Sequence, residues 1–188
     1  DRIRYIKGSI TQPKLIASIV EDQDYIFHCA AQSSHTYSLE HPAKDAEANM
    51  DGTLVILEAM RRCRSQAVLI YPSTTSVAGK MEASVIDENH PCRPLDIYSI
   101  HKLTSEHYLK LYHFHYGLKT ILLRFGNLYG PGANSLPEFG FVNFFIAQAF
   151  KNNAISIFGD GSQLRNIMFV EDAALLMIHC AAESSLFG

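Results

Sequence analysis

Two short stretches of this sequence carry side chains suited to moving a proton. In Tyr98-Ser-Ile-His-Lys102 a phenol and an ammonium stand four residues apart, so on a helix they share one face. A lysine beside a phenol stabilises the phenolate and draws its pKa down from about 10, towards a base usable near neutrality. The second stretch, Tyr71-Pro-Ser-Thr-Thr-Ser-Val-Ala-Gly79, sets a run of hydroxyls directly after an apolar segment. In a parallel sheet, ligands gather beyond the carboxyl ends of the strands, which would put these hydroxyls at the mouth of a crevice. Taken singly, each stretch also reads as ordinary structure: a polar pair on a helix surface, and a Ser/Thr-rich turn.

The elements that must hold these groups follow from periodicity. Arg4 to Lys7, Asp24 to Cys29, Ala67 to Tyr71 and Lys119 to Arg124 are short apolar segments that read as strands. Helical patterns fall between them, over Pro13 to Glu21, about Pro42 to Arg64 and about Ile97 to Tyr116. Strands alternating with helices predict an α/β fold with a parallel sheet covered on both faces. In the second helix Asn49 and Thr53 sit one turn apart on its inner half. After Phe125 the run Gly-Asn-Leu-Tyr-Gly-Pro-Gly-Ala-Asn-Ser predicts a loop leaving the sheet, followed by an aromatic-rich helix over Phe139 to Lys151 and a short strand Ile155 to Phe158.

Composition narrows the class. With 188 residues, 47% of them hydrophobic, the chain can close one sizeable core but not two full domains. A net charge of -3 without a basic block speaks against nucleic acid as a partner. No apolar run approaches the length that spans a bilayer, which speaks against a membrane protein. Cys29, Cys63, Cys92 and Cys180 lie far apart with no C-x-x-C pair and no N-x-[ST] sequon, which predicts reduced thiols and a cytoplasmic location. Among the nine histidines, His107, His113 and His115 share one helix at spacings that do not converge on a tetrahedral site, so no metal is expected.

Jointly, the hydroxyl segment and the Tyr/Lys helix resemble the extended short-chain dehydrogenase/reductase family, the NAD-dependent epimerases and dehydratases of nucleotide sugars. Further matches follow in order. His28-Cys-Ala-Ala31 is similar to the family's H-x-A-A segment and Asn49-Met-Asp-Gly-Thr53 to its N-x-x-G-T helix. Leu123-Arg-Phe-Gly-Asn-Leu-Tyr-Gly-Pro-Gly132 is similar to L-R-x-x-N-x-Y-G-P-G, and Gly159 to Arg165 with Phe169-Val-Glu-Asp172 to a later G-x-G-x-x-x-R and V-x-D segment. The resemblance implies a Rossmann-like doubly wound sheet over residues 1–130 and part of a small substrate-binding lobe over 131–188, with the chain returning to the first domain within it. It implies Tyr98 as catalytic base, Lys102 as its tuner and the holder of the nicotinamide ribose, and Thr74 as the hydroxyl partner. Ser9, Ile10, Ala30 and Ala31 would border NAD together with Tyr98 and Lys102, while Ser73, Thr74, Asn127 and Arg165 would meet the nucleotide sugar. It also implies a homodimer through the helices Pro42 to Arg64 and Ile97 to Tyr116.

Departures from the family pattern shape the expectation. The glycine-rich turn that cradles a pyrophosphate at a helix N-terminus does not occur, and the chain opens on Asp1-Arg-Ile without an initiating Met. Both predict a chain lacking its first β-α-β unit. Ser9, Ala78 and Asn166 stand where the family often has an acidic residue, a Tyr and an Asp. Thr75 and Ser76 occupy the positions where dehydratases carry Asp-Glu, so epimerisation is expected ahead of dehydration or net reduction. A catalytically silent nucleotide-sensing or interaction module is the alternative of another class, and NAD against NADP stays open.

Overall fold

The structure is a computed structural model and describes residues 3–188. Three parallel strands form the main sheet in the order β1-β2-β3: β1 is Tyr25–Phe27, β2 Val68–Thr74 and β3 Lys119–Phe125. Helix α1 (Pro13–Val20) precedes β1. Between β1 and β2 run α2 (His35–Glu40), α3 (Pro42–Ala46) and α4 (Gly52–Cys63), with α5 (Ile97–Tyr116) between β2 and β3. A second, two-stranded parallel sheet pairs β4 (Asn127–Tyr129) with β5 (Ile167–Phe169). Helix α6 (Phe141–Phe150) lies between those strands and α7 (Val170–Ala181) follows them.

The two-residue alternation of β2 builds both halves of the core. Leu69 and Tyr71 join Ile16, Val20, Leu57, Met60 and Leu109 on one face of the sheet. Val68 and Ile70 join Ile121, Phe125, Ala173 and Met177 on the other. A central strand buried on both sides reads as a continuous apolar run, which is how Ala67 to Tyr71 stands in the sequence.

Several expectations are corrected. The span 4–7 is coil, with Tyr5 87% exposed and Ile3 just before it 92% exposed; an apolar segment becomes a strand only where a neighbour takes its backbone hydrogen bonds. The same holds for 155–158, which is coil with Ile157 and Phe158 exposed. Composition predicts a loop after Phe125, yet Asn127 to Tyr129 pair with Ile167 to Phe169, a long-range ladder outweighing turn-forming composition. Helix α6 begins at Phe141 rather than Phe139 because Gly140 has φ 136, outside helical space. The helix expected over Pro42 to Arg64 carries a π turn over Glu47–Asp51 between α3 and α4. Just after that turn, the Cβ of any residue at Gly52 would lie 2.3 Å from Ile10 Cδ1, so glycine there lets Ile10 pack onto the helix.

Candidate active site

Helix α5 projects its chemistry towards β2. Asp96 caps its first turn, accepting the Ser99 N–H on Oδ1 at 2.8 Å. Tyr98, Lys102 and Glu106 then recur at four-residue spacing, and all three are buried. The Tyr98 backbone N–H donates to Ser38 Oγ at 3.2 Å, and its ring lies edge-on to His35 with centroids 4.7 Å apart. Burial first, then the carboxylates of Asp45 and Asp96, push the phenol up to about 12. Lys102 Nζ donates to the Pro72 carbonyl at 2.8 Å and sits 3.9 Å from the centre of the Tyr71 ring. Burial draws its pKa down to about 8, against the raising effects of Glu106, Cys29 and Asp45. The acidified phenol expected from a neighbouring ammonium is therefore not the state of this structure: Lys102 is turned to β2, and Tyr98 is held protonated.

The hydroxyl segment is strand rather than loop up to Thr74, since Pro72, Ser73 and Thr74 pair with Leu123, Arg124 and Phe125. Ser73 Oγ donates to Glu106 Oε1 at 2.5 Å, so this hydroxyl, expected to meet substrate, is engaged inside the protein. Glu106 is gripped in turn by Arg124, whose Nε lies 3.0 and 3.2 Å from its two oxygens and whose Nη2 lies 2.6 Å from Oε2. Thr74 accepts the Ser76 N–H at 3.1 Å and shares a 2.8 Å hydrogen bond with Ser76 Oγ. Ser99 Oγ donates to Ser76 at 2.9 Å. A chain of hydroxyls thus joins Thr74 to the residue after Tyr98.

Ser9, Ile10, Ala30 and Ala31 line one open cavity of about 740 Å³, with Gln32 and Ser34. The wall past β1 is fixed by Asn49, whose Oδ1 accepts the Gln32 N–H at 3.1 Å while its Nδ2 donates to the Gln32 carbonyl at 2.9 Å. Thr53 donates to the Asn49 carbonyl at 2.8 Å, leaving its oxygen to accept from His28 Nε2 at 2.9 Å. His28 is consequently the neutral Nε2–H tautomer, and burial, aided by Lys102, lowers its pKa to about 4. Small side chains on the wall and hydroxyl and amide groups beside them fit a dinucleotide, whose sugars and rings need close approach to backbone.

Asn127 and Arg165 are not brought to this cluster by any contact. Asn127 Nδ2 donates to the Asn166 carbonyl at 3.1 Å on the second sheet, and Arg165 is exposed, its Nη1 reaching only the Leu164 carbonyl at 2.9 Å. Sequence reasoning missed Glu106, His35, Asp45 and His101. Glu106 was signalled by its four-residue step from Lys102, and His101 by its place inside the Tyr98 to Lys102 stretch; His35 and Asp45 carried no signal. Among the described residues, no group of three His, Cys, Asp or Glu could hold a metal ion, and no helix is long and apolar enough to cross a membrane.

A parallel sheet covered on both faces, with a Tyr/Lys helix against its central strand and a small-residue cavity beside it, defines a Rossmann-type dinucleotide-binding protein. Residues 1–186 match the model of the NAD dependent epimerase/dehydratase family, and the chain belongs to that family. A putative UDP-glucose 4-epimerase of Methanocaldococcus jannaschii is 37% identical over 82% of this chain and 50% of its own length. A dTDP-glucose 4,6-dehydratase of Xanthomonas campestris is 30% identical over 95% and 51%. The solved UDP-glucose 4-epimerase of Thermotoga maritima with UDP-glucose superposes with a TM-score of 0.88 at 31% identity, over 93% of this chain and 58% of that one. The chain spans about half the length of the relatives it matches.

Proposed function

We propose that this protein epimerises a nucleotide sugar by transient oxidation with NAD, using Tyr98 as the base. The observation that carries the reading is the burial of Tyr98 and Lys102 on one face of α5, tied through Ser99 and Ser76 to Thr74 at the end of β2. NAD, when bound, supplies a hydride acceptor that can give the hydride back. Tyr98 takes the proton of a sugar hydroxyl as the carbon beneath loses its hydride, and a carbonyl forms. Thr74, whose oxygen already accepts the Ser76 N–H, has its own hydrogen to direct at that carbonyl oxygen. Because the phenol is held protonated here, it must first release its proton. Lys102, freed from Pro72 and turned towards Tyr98, supplies the positive charge that favours this. Return of hydride to the opposite face of the carbon, with the proton from Tyr98, completes the inversion without net oxidation.

Epimerisation is favoured over dehydration by Thr75 and Ser76, which offer no acid-base pair for expelling water; the Ser76 hydroxyl is moreover engaged with Thr74 and Ser99. A nucleotide-sugar dehydratase is the second reading, carried by the Xanthomonas relative. In this scheme residues 1–130 form the dinucleotide-binding part and 131–188 part of a substrate lobe, the chain returning to the main sheet with α7; Asn127 and Arg165, one from each part, would grip the diphosphate. The free cysteines support a reducing, cytoplasmic setting, and a homodimer through α4 and α5 is inferred from the family resemblance. Replacing Tyr98 with Phe tests the reading: turnover of UDP-glucose and UDP-galactose should fall by at least about a thousandfold while NAD is retained. Undiminished turnover removes Tyr98 as the base, and release of water from substrate selects the dehydratase.

A further inference from the structure

Tyr98 is flanked by charges that the reaction scheme does not use. On α2, His35 sets its ring edge against the phenol, and its Nδ1 lies 2.8 Å from Oδ2 of Asp96. Asp96 stands two residues before Tyr98 and also caps α5. One helical turn beyond Tyr98, His101 places Nδ1 2.6 Å from Oδ1 of Asp45, a fully buried carboxylate on α3. The other oxygen of Asp45 accepts from the side-chain amide of Gln32 at 2.5 Å, and Gln32 lines the small-residue cavity. Two carboxylates, each partnered by an imidazole, therefore lie about the start of α5, one of the imidazoles against the Tyr98 ring and the other placed three residues beyond Tyr98.

Taking Tyr98 as the base, we propose that the pairs His35–Asp96 and His101–Asp45 are positioning groups that set the electrostatic field in which its phenol holds or releases a proton. A pair with a neutral imidazole presents a full negative charge and favours the protonated phenol; a pair with a protonated imidazole is neutral and opposes the phenolate less. After burial, Asp45 and Asp96 are the groups that raise the phenol. Three other ionisable groups around the site have partners of their own. Lys102 turns to Pro72 and the Tyr71 ring, Glu106 is gripped by Arg124, and His28 bonds Thr53. Cys29 borders Lys102, and Tyr71 is a buried neutral phenol.

Asp96→Asn separates charge from structure. Asparagine caps a helix as well as aspartate does, and His35 keeps a hydrogen bond by exchanging tautomer. With the NAD-loaded enzyme, the acid limb of kcat/KM for UDP-glucose should move down by about one pH unit. Independently of activity, the tyrosinate absorbance difference between the protein and its Tyr98→Phe variant should titrate at a correspondingly lower pH in the Asp96→Asn background. Asp45→Asn should move both readouts the same way. An unmoved profile and an unmoved tyrosinate titration in folded Asp96→Asn overturn the role of the pairs. The two readings fail differently: a fully active Tyr98→Phe enzyme sinks the assignment of the base, whereas an inactive Tyr98→Phe enzyme with an unshifted Asp96→Asn titration sinks only the role of the pairs.

Discussion

Removing the Glu106 carboxylate should be among the costlier changes in the sheet-to-helix seam. Glu106 is 1% exposed and accepts from Ser73 and from two nitrogens of Arg124, whose side chain is 22% exposed. The Glu106→Ala variant leaves one guanidinium and one buried hydroxyl without their partner. Breaking a buried pair from one side costs about 3–5 kcal/mol. Arg124 reaches some water, so the lower end applies, about 3 kcal/mol, equivalent to a fall of about 6–12 °C in Tm for a chain of this size. Glu106→Gln keeps the volume and one acceptor and should cost about 1–2 kcal/mol. Urea unfolding followed by circular dichroism measures this, with the midpoint falling and the slope unchanged. The pair Glu106→Met with Arg124→Met should recover most of the loss, because the cost lies in the stranded charge rather than in the lost attraction. A Glu106→Ala protein within about 0.5 kcal/mol of the parent would refute the argument, since that is the range of ordinary surface changes.

Two further outcomes follow from the buried groups His28 and Lys102. His28 titrates at about 4 in the folded protein against 6.5 when free, so between those values the unfolded chain binds more protons and stability falls as pH falls. About 2 kcal/mol should be lost between pH 7 and 5 by urea unfolding, and the His28→Gln variant should lose that part of the slope; an identical slope in the variant contradicts the neutral assignment. Lys102 is a buried cation drawn to about 8 from 10.5, so at pH 7 the folded state carries an unfavourable charge. Lys102→Met should therefore abolish turnover yet raise unfolding stability by about 3 kcal/mol at pH 7, with the gain shrinking as pH rises from 8 to 10.5; a destabilised Lys102→Met protein would show that the Pro72 and Tyr71 contacts outweigh the burial.

How far the sequence could be read depended on the range of the interactions that decide each element. Helix α5 lies where its apolar spacing puts it, because Asp96 and Gly117 bound it locally. The apolar core of β2 was legible for the same reason, but its extension to Thr74 was not, since Ser73 and Thr74 become strand only by pairing with Arg124 and Phe125. Arg4 to Lys7 shows the converse: a good strand sequence stays coil without a neighbour. Helix α7 shows in the sequence only as a short apolar run, Ala173 to Ile178, and what makes it part of the core is contact with Val68, Ile70 and Ile121.

The same division runs through the site. Four-residue spacing places Tyr98, Lys102 and Glu106 on one face of α5, a local property that any reader of the sequence can extract. What each of them touches is set by residues far away in the chain: Pro72 and Tyr71 for Lys102, Ser73 and Arg124 for Glu106, His35 and Ser38 for Tyr98. Periodicity specifies a face but not the charges opposite it, and those charges decide whether a phenol is acid or base. A Tyr/Lys pair is thus necessary for the chemistry and insufficient to set its pH. That setting falls to groups such as Asp45, whose own sequence neighbourhood contains nothing that points to Tyr98, and Asp96, which reads beside Tyr98 only as the cap of its helix.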